Sequence, residues 1–344
     1  MTKVRNWALG TIAAAALLAA FPAAARDVKV GMVTTLSGPG SPLGIDVRDG
    51  FALAVKSLGG NLGGMKAEIV EADDQQKPEV AKQLADRMVE REKVDFFTGI
   101  IFSNLALAVM PGLEKNQTFF VSANAGPSQF AGANCSPFFV SASWQNDNNH
   151  EAMGQHLQSS GVKRVYLMAP NYPAGKDALA GFKRYFKGEV VGEVYTTVNQ
   201  PDYAAELASL KAAAPEAVYV FYPGGMGINF VKQYAQAGLP GSVPLYGSAF
   251  TFDQDLLPAM GDAALGTKNT AHWALDLDNP ANKAFVAEFE KAYNRLPSTY
   301  AAQGYDAALM IDAAIRKAGG LDDKKALQAA LRSAEFPSVR GQFK

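Results

Sequence analysis

The chain has 344 residues, 48% of them hydrophobic, with 32 Lys and Arg against 33 Asp and Glu and a formal net charge of −1. That balance, with no basic run, argues against a nucleic-acid partner. The single cysteine, Cys135, cannot form an internal disulfide, and as a lone thiol in an oxidising compartment it is expected to be buried and inert.

The first segment, Met1–Ala25, reads as an export signal. Lys3 and Arg5 form the positive start, Trp7–Phe21 the apolar stretch, and Ala23-Ala24-Ala25 the small-residue cleavage site. The mature chain then begins at Arg26 or Asp27. The apolar stretch is short for a membrane span of about 20 residues. No cysteine lies near the cleavage site to carry a lipid, and no later segment is apolar for long enough to cross a bilayer. A soluble protein of the periplasm is expected. The roughly 320 residues that remain are long for one core, which predicts two domains.

The mature chain opens with Val28–Gly44, a β-branched strand over Val28–Thr34 running into a turn of Gly38, Pro39, Gly40, Ser41, Pro42 and Gly44. A helix is predicted from about Ile45, with Phe51, Ala54, Val55 and Leu58 on one face of Asp46–Leu58. Such a strand, turn and helix start leave backbone N–H groups facing open space, a geometry suited to an anion. Strands follow at Ala67–Glu71, Val94–Phe97 and Thr118–Val121, and helices start at Lys77-Pro78 and Ser103-Asn104. The pattern then restarts. Strands are predicted at Val165–Ala169, Val190–Thr196, Val218–Tyr222 and Leu245–Tyr246. Helices are predicted at Asp177–Phe186, Tyr203–Leu210, Ile228–Ala237, Asn282–Asn294 and Tyr305–Lys317. Sustained strand–helix alternation predicts an α/β fold of mainly parallel sheets with helices on both faces, here in two lobes. The polar run Trp144–Asn149 suits an interlobe crossing, and Asn269–Trp273 is a second candidate.

Catalytic and metal signatures are missing. There is no G-x-S-x-G elbow and no G-x-x-x-x-G-K-[ST] loop. His150-Glu151 starts like a zinc helix, but Gly154 stands where the second histidine belongs. Gly38-Pro39-Gly40 lacks dinucleotide spacing, and Asp276-Leu277-Asp278-Asn279 lacks the glycine and glutamate of a calcium loop. No cofactor and no metal are expected.

An ordered set of short motifs carries a resemblance. These are L-S-G-P…G at Leu36–Gly44, D-D-Q…P at Asp73–Pro78, T-G…S-N at Thr98–Asn104, V-S-A-N-A at Val121–Ala125, Y-P-A-G-K at Tyr172–Lys176 and Y-D-A-A at Tyr305–Ala308. Together they resemble the type I periplasmic solute-binding proteins of ABC transporters, in the leucine/isoleucine/valine receptor family, with its aromatic-acid-binding branch in view. The resemblance implies two doubly wound, Rossmann-like lobes joined by three crossings and closing on a ligand between them. Residues 26–145 with 272–338 would form one lobe, and 146–271 with 339–344 the other. The third crossing falls near Val339–Phe343, and because family chains continue further the second lobe is expected to lack its last elements.

Doubly wound sheets bind ligands outside the carboxyl ends of their strands. On the first lobe this selects Leu43, Phe102, Ser103, Ser122, Ala123, Asn124 and Ala125. In the family the position of Ser103 gives a hydroxyl to the ligand carboxylate, and the V-S-A-N-A loop adds hydrogen bonds. As plain structure, Ser103 is an N-cap and Asn124 a turn residue. On the second lobe the rule selects Tyr172, Tyr222, Ser248, Ala249, Phe250 and Phe252, with His272 and Trp273 as weaker candidates near a crossing. Amino-acid-binding members place an acid after the strand at Leu245–Gly247 to pair with the ligand ammonium. Here Ser248 or Ala249 stands there, and no acid appears before Asp253. A carboxylate without an α-amino group, an aromatic acid, is therefore expected. The expected partner is an inner-membrane ABC permease, and the protein is read as a monomer. A branched-chain amino acid receptor, a ligand sensor docking a membrane signalling protein and a secreted enzyme remain as alternatives.

Overall fold

The computed structural model describes residues 26–132 and 135–342; the expected export signal and Phe343 of the third crossing lie outside them. The first lobe runs β1 (Val28–Thr34), α1 (Ser41–Ser57), β2 (Asn61–Leu62), β3 (Met65–Asp73), α2 (Pro78–Arg87), β4 (Phe96–Thr98), α3 (Ser103–Lys115), β5 (Phe119–Ser122) and β6 (Phe139–Ser141). Its sheet has the order β2-β3-β1-β4-β5-β6, parallel except for the β2–β3 hairpin. The strand β1 lies between β3 and β4 and is buried along nearly its whole length, as its apolar run requires.

The chain then enters α4 (Asn148–Ser159), β7 (Arg164–Pro170), α5 (Pro173–Tyr185), β8 (Glu189–Thr196), α6 (Ala204–Ala213), β9 (Ala217–Val220), α7 (Gly225–Gln236), β10 (Leu245–Ser248), α8 (Leu257–Met260) and β11 (Lys268–Thr270). These strands form a parallel sheet in the order β11-β10-β9-β7-β8. Both sheets are doubly wound. In each, the strand order reverses beside the lobe's first strand, and the loops leaving β1 and β4, or β7 and β9, meet there. The two lobes expected from the alternation are present.

After β11 the chain returns to the first lobe as α9 (Pro280–Tyr293), α10 (Thr299–Ala318) and α11 (Lys324–Arg332), and ends in the hairpin β12 (Pro337–Ser338) and β13 (Gly341–Gln342). The helices α1 and α10 pack backbone to backbone. A Cβ on Gly50 would fall 1.9 Å from the Ala301 carbonyl oxygen, and one on Gly304 2.1 Å from that of Val47. Val339 in the terminal hairpin packs with Leu53, Trp273, Phe285 and Phe289, against first-lobe helices.

Two local expectations are corrected. α1 starts at Ser41, four residues ahead of Ile45, because Pro42 sits in the first turn, where its missing N–H costs nothing. Gly44 belongs to that helix and lets it press against β1, since a Cβ there would lie 1.9 Å from the Thr35 carbonyl oxygen. Cys135 is exposed, not buried. The helices α4 and α11 and the strands β6 and β11 carried too little periodicity to be read from sequence.

Candidate functional site: the interlobe cleft

The switch points of the two sheets face each other, and their loops close on a small cavity. The cleft is shut. Phe102, after β4, lies 6.1 Å from Tyr172, after β7, between ring centroids. Ser128 of the first lobe donates to the Asp177 carboxylate of α5 from its N–H at 3.0 Å and its hydroxyl at 2.6 Å. The cavity holds about 270 Å³ of atom-free space, but the centre of a water molecule fits over only about 10 Å³ of it. Such a space suits a small ligand and admits it only when the lobes part.

Six rings wall the cavity: Phe102, Trp144, Tyr172, Phe221, Phe250 and Tyr300. They touch one another as a continuous set. Tyr172 stacks on Phe221 with 6.3 Å between centroids, and Phe250 meets Trp144 at 4.4 Å and Tyr300 edge-on at 5.4 Å. Ile101, Ala174 and Pro223 fill the gaps, and Ser103, Asn124 and Asn146 supply polar atoms. Among the described residues, no charged side chain lines the cavity.

The polar atoms are individually placed. Ser103 opens α3, whose first turn has no side-chain cap, so its leading N–H groups lack intrahelical partners. The Ser103 hydroxyl accepts from Asn146 Nδ2 at 2.9 Å and keeps its own proton to donate. Asn146 is held on all sides: its Nδ2 also donates to Asp177 at 2.9 Å, and its Oδ1 accepts from the Gly126 N–H at 3.2 Å. Asn124 donates from Nδ2 to the Ile101 carbonyl at 2.8 Å, and its backbone carbonyl accepts from Trp144 Nε1 at 2.8 Å. Burial pushes the phenols of Tyr172 and Tyr300 up, so both stay protonated as donors. Burial also pushes His150 and His272, beside the wall, down to about 3, so neither brings a positive charge.

Of the residues selected from sequence, Phe102, Ser103, Asn124, Tyr172 and Phe250 line this cavity. The others are placed elsewhere. Leu43 is buried on α1 close to Gly224 of the opposite lobe. Ser122 turns its hydroxyl onto the Ala125 carbonyl at 2.6 Å, and Ala123 and Ala125 are buried in the first-lobe core. Tyr222 packs on Tyr203 and Phe230 inside the second lobe, and its hydroxyl accepts from Thr196 at 3.2 Å. Ser248 and Ala249 lie just beyond the lining, and Phe252 is second-lobe core. His272 bridges Asn149 and Gln303, and Trp273 donates to Asn282 at 2.7 Å.

Sequence reasoning missed Phe221, Trp144, Asn146 and Tyr300. The parity of β9 could have found the first. Tyr219 and Phe221 share one side and both touch His150, so Tyr222 must face the other way. The Ser298 cap could have moved the start of α10 back to Thr299 and brought Tyr300 into view.

The periplasmic binding protein family matches over residues 27–344. A Leu/Ile/Val-binding protein homolog of Brucella melitensis is 31% identical, the match covering 94% of this chain and 85% of that one. A solute-binding protein of an ABC transporter from R. palustris, solved with benzoate, is 35% identical with a TM-score of 0.89, over 93% of this chain and 89% of its own. Another, from Rhodopseudomonas palustris BisB5 and solved with 3,4-dihydroxy benzoic acid, is 32% identical with a TM-score of 0.86, over 92% and 87%. The chain belongs to the periplasmic binding proteins and is a solute-binding component of an ABC transporter, not an enzyme.

Proposed function

We propose that this protein captures a small aromatic carboxylate between its lobes and presents the closed form to an inner-membrane ABC permease. The cavity wall carries the reading: six rings, hydroxyl donors on Ser103, Tyr172 and Tyr300, and no charged side chain among the described residues. A flat ring fits among the aromatic side chains, and a carboxylate is matched by neutral hydroxyls and by the uncapped start of α3. An α-amino acid fits less well. The first acid after β10, Asp253, is outside the lining and is engaged by the Thr299 N–H at 2.9 Å and the Gln254 N–H at 2.8 Å. An ammonium enclosed without a counter-charge costs several kcal/mol. The benzoate and dihydroxybenzoate complexes of the R. palustris relatives support the aromatic reading. Ligand enters when residues 26–145 with 272–338 swing away from 146–271, and it shifts the balance towards closure.

Isothermal titration and thermal shift against benzoate, 4-hydroxybenzoate, leucine and isoleucine test this. The aromatic acids should bind and raise the melting temperature, and the amino acids should not. Ser103→Ala and Tyr172→Phe should each weaken aromatic-acid binding about 10-fold or more, the loss of a hydrogen bond to a charged group. Leucine binding more tightly than benzoate would overturn the assignment.

A further inference from the structure

Resting on that reading, we infer that Asn124 selects among aromatic acids: it reads a hydrogen-bond donor on the ligand, and the cavity prefers a hydroxyl-bearing ring to an unsubstituted one. The two amides of the lining differ. Asn146 has every polar atom engaged, Nδ2 by Ser103 and Asp177 and Oδ1 by the Gly126 N–H. Asn124 is 7% exposed and only half satisfied. Its Nδ2 donates to the Ile101 carbonyl at 2.8 Å, while its Oδ1 is buried without a partner among the described residues.

The direction of this amide is fixed by chemistry. A carbonyl oxygen only accepts, so the NH₂ group must face Ile101 and the oxygen must be the unmatched atom. The residue is also held through its backbone, whose carbonyl takes the Trp144 indole N–H at 2.8 Å, so it does not swing away to find a partner. A buried acceptor left unmade is costly, and a carboxylate cannot relieve it because both groups only accept. A phenolic O–H on the ligand can. The lining therefore divides its labour: the hydroxyls of Ser103, Tyr172 and Tyr300 give protons to the carboxylate, and Asn124 takes one from the ring substituent. Sites built to hydrogen-bond a hydroxyl reject the analogue that lacks it much more strongly than apolar pockets reject an added one.

Titrating the full-length mature protein with benzoate, 4-fluorobenzoate, 3-hydroxybenzoate and 4-hydroxybenzoate reads this out. At least one hydroxybenzoate should bind about 10-fold or more tightly than both benzoate and the fluoro analogue, which matches the ring but donates nothing. In Asn124→Ala, or in Asn124→Ser should that variant fold poorly, the ratio should fall below about 3-fold. Equal affinities in the wild type, or a preference that survives both substitutions, overturn the role of Asn124 and leave the aromatic-acid reading standing. If none of the four acids binds, both fall.

Discussion

Replacing Arg340 with alanine should cost this protein about 3–5 kcal/mol, the range for breaking a buried ion pair from one side. Asp306 on α10 is fully buried. Arg340 Nε donates to its carboxylate at 2.9 Å, and Ser338 Oγ and the Val339 N–H add bonds of 2.6 and 3.1 Å. The same guanidinium donates to the carbonyls of Ala142 and Ser143, where the chain leaves the first sheet. The substitution thus strands a carboxylate and frees two carbonyls at once. The melting temperature should drop by roughly 6–10 °C at pH 7.5. Burial already holds Asp306 above the ordinary carboxylate range, and losing its cation drives it higher. The deficit should therefore shrink as the pH falls towards 5, because the stranded group then takes a proton. A deficit that stays constant between pH 7.5 and pH 5 contradicts this account. Pairing Arg340→Met with Asp306→Asn should recover part of the loss.

The wild-type protein should show a bell-shaped melting temperature with its maximum at about pH 6–7. The alkaline limb comes from an acidic cluster between the lobes. Asp253 and Asp255, in the loop after β10, lie near Asp46 of α1. Asp46 pairs with Arg295 and Ser298, and Arg295 also pairs with Asp49 at 2.7 Å. Both Asp255 oxygens are buried without a partner among the described residues. Burial first, then the neighbouring carboxylates, push the pair up to about 7 for Asp253 and about 8 for Asp255, from 3.8. Because the folded values are raised, their stabilising share is complete below about pH 4 and is lost as the pH rises through 7 and 8.

The acid limb comes from His150 and His272. Burial lowers both from 6.5 to about 3, so the stability they lend is present above 6.5 and declines below it. Raising the pH from 6.5 to 8.5 should cost about 2–3 kcal/mol through the aspartates alone. Asp255→Asn should flatten that limb and leave the acid side in place. Melting curves at half-unit pH steps decide it, and an alkaline limb unchanged in Asp255→Asn refutes the assignment to this cluster.

What could be read from sequence follows from how each residue acquires its position. Phe102, Ser103, Tyr172 and Phe250 sit on loops at the carboxyl ends of strands, and local alternation locates those ends. Phe221 depends on strand parity, and the sequence offered both Phe221 and Tyr222 as the exposed ring. Trp144 and Asn146 come from a crossing, which has no period of its own. Tyr300 stands 128 residues beyond Tyr172 and reaches the cavity only because α10 lies on α1. Cys135 escaped the usual burial of free thiols because it follows a surface turn bonded from its own N–H to the Gly132 carbonyl at 3.1 Å. Composition carries no record of such placement.

The seating of α10 on α1 through Gly50 and Gly304 has a practical bearing on reshaping cargo preference. Tyr300 rides on a helix with no slack beneath it, since a single added carbon at either glycine would collide with a neighbouring carbonyl. That flank of the cleft behaves as an anvil. Room for bulkier rings has to be carved from the jaw that moves, by trimming Phe221 or Phe250, while the anvil is left intact.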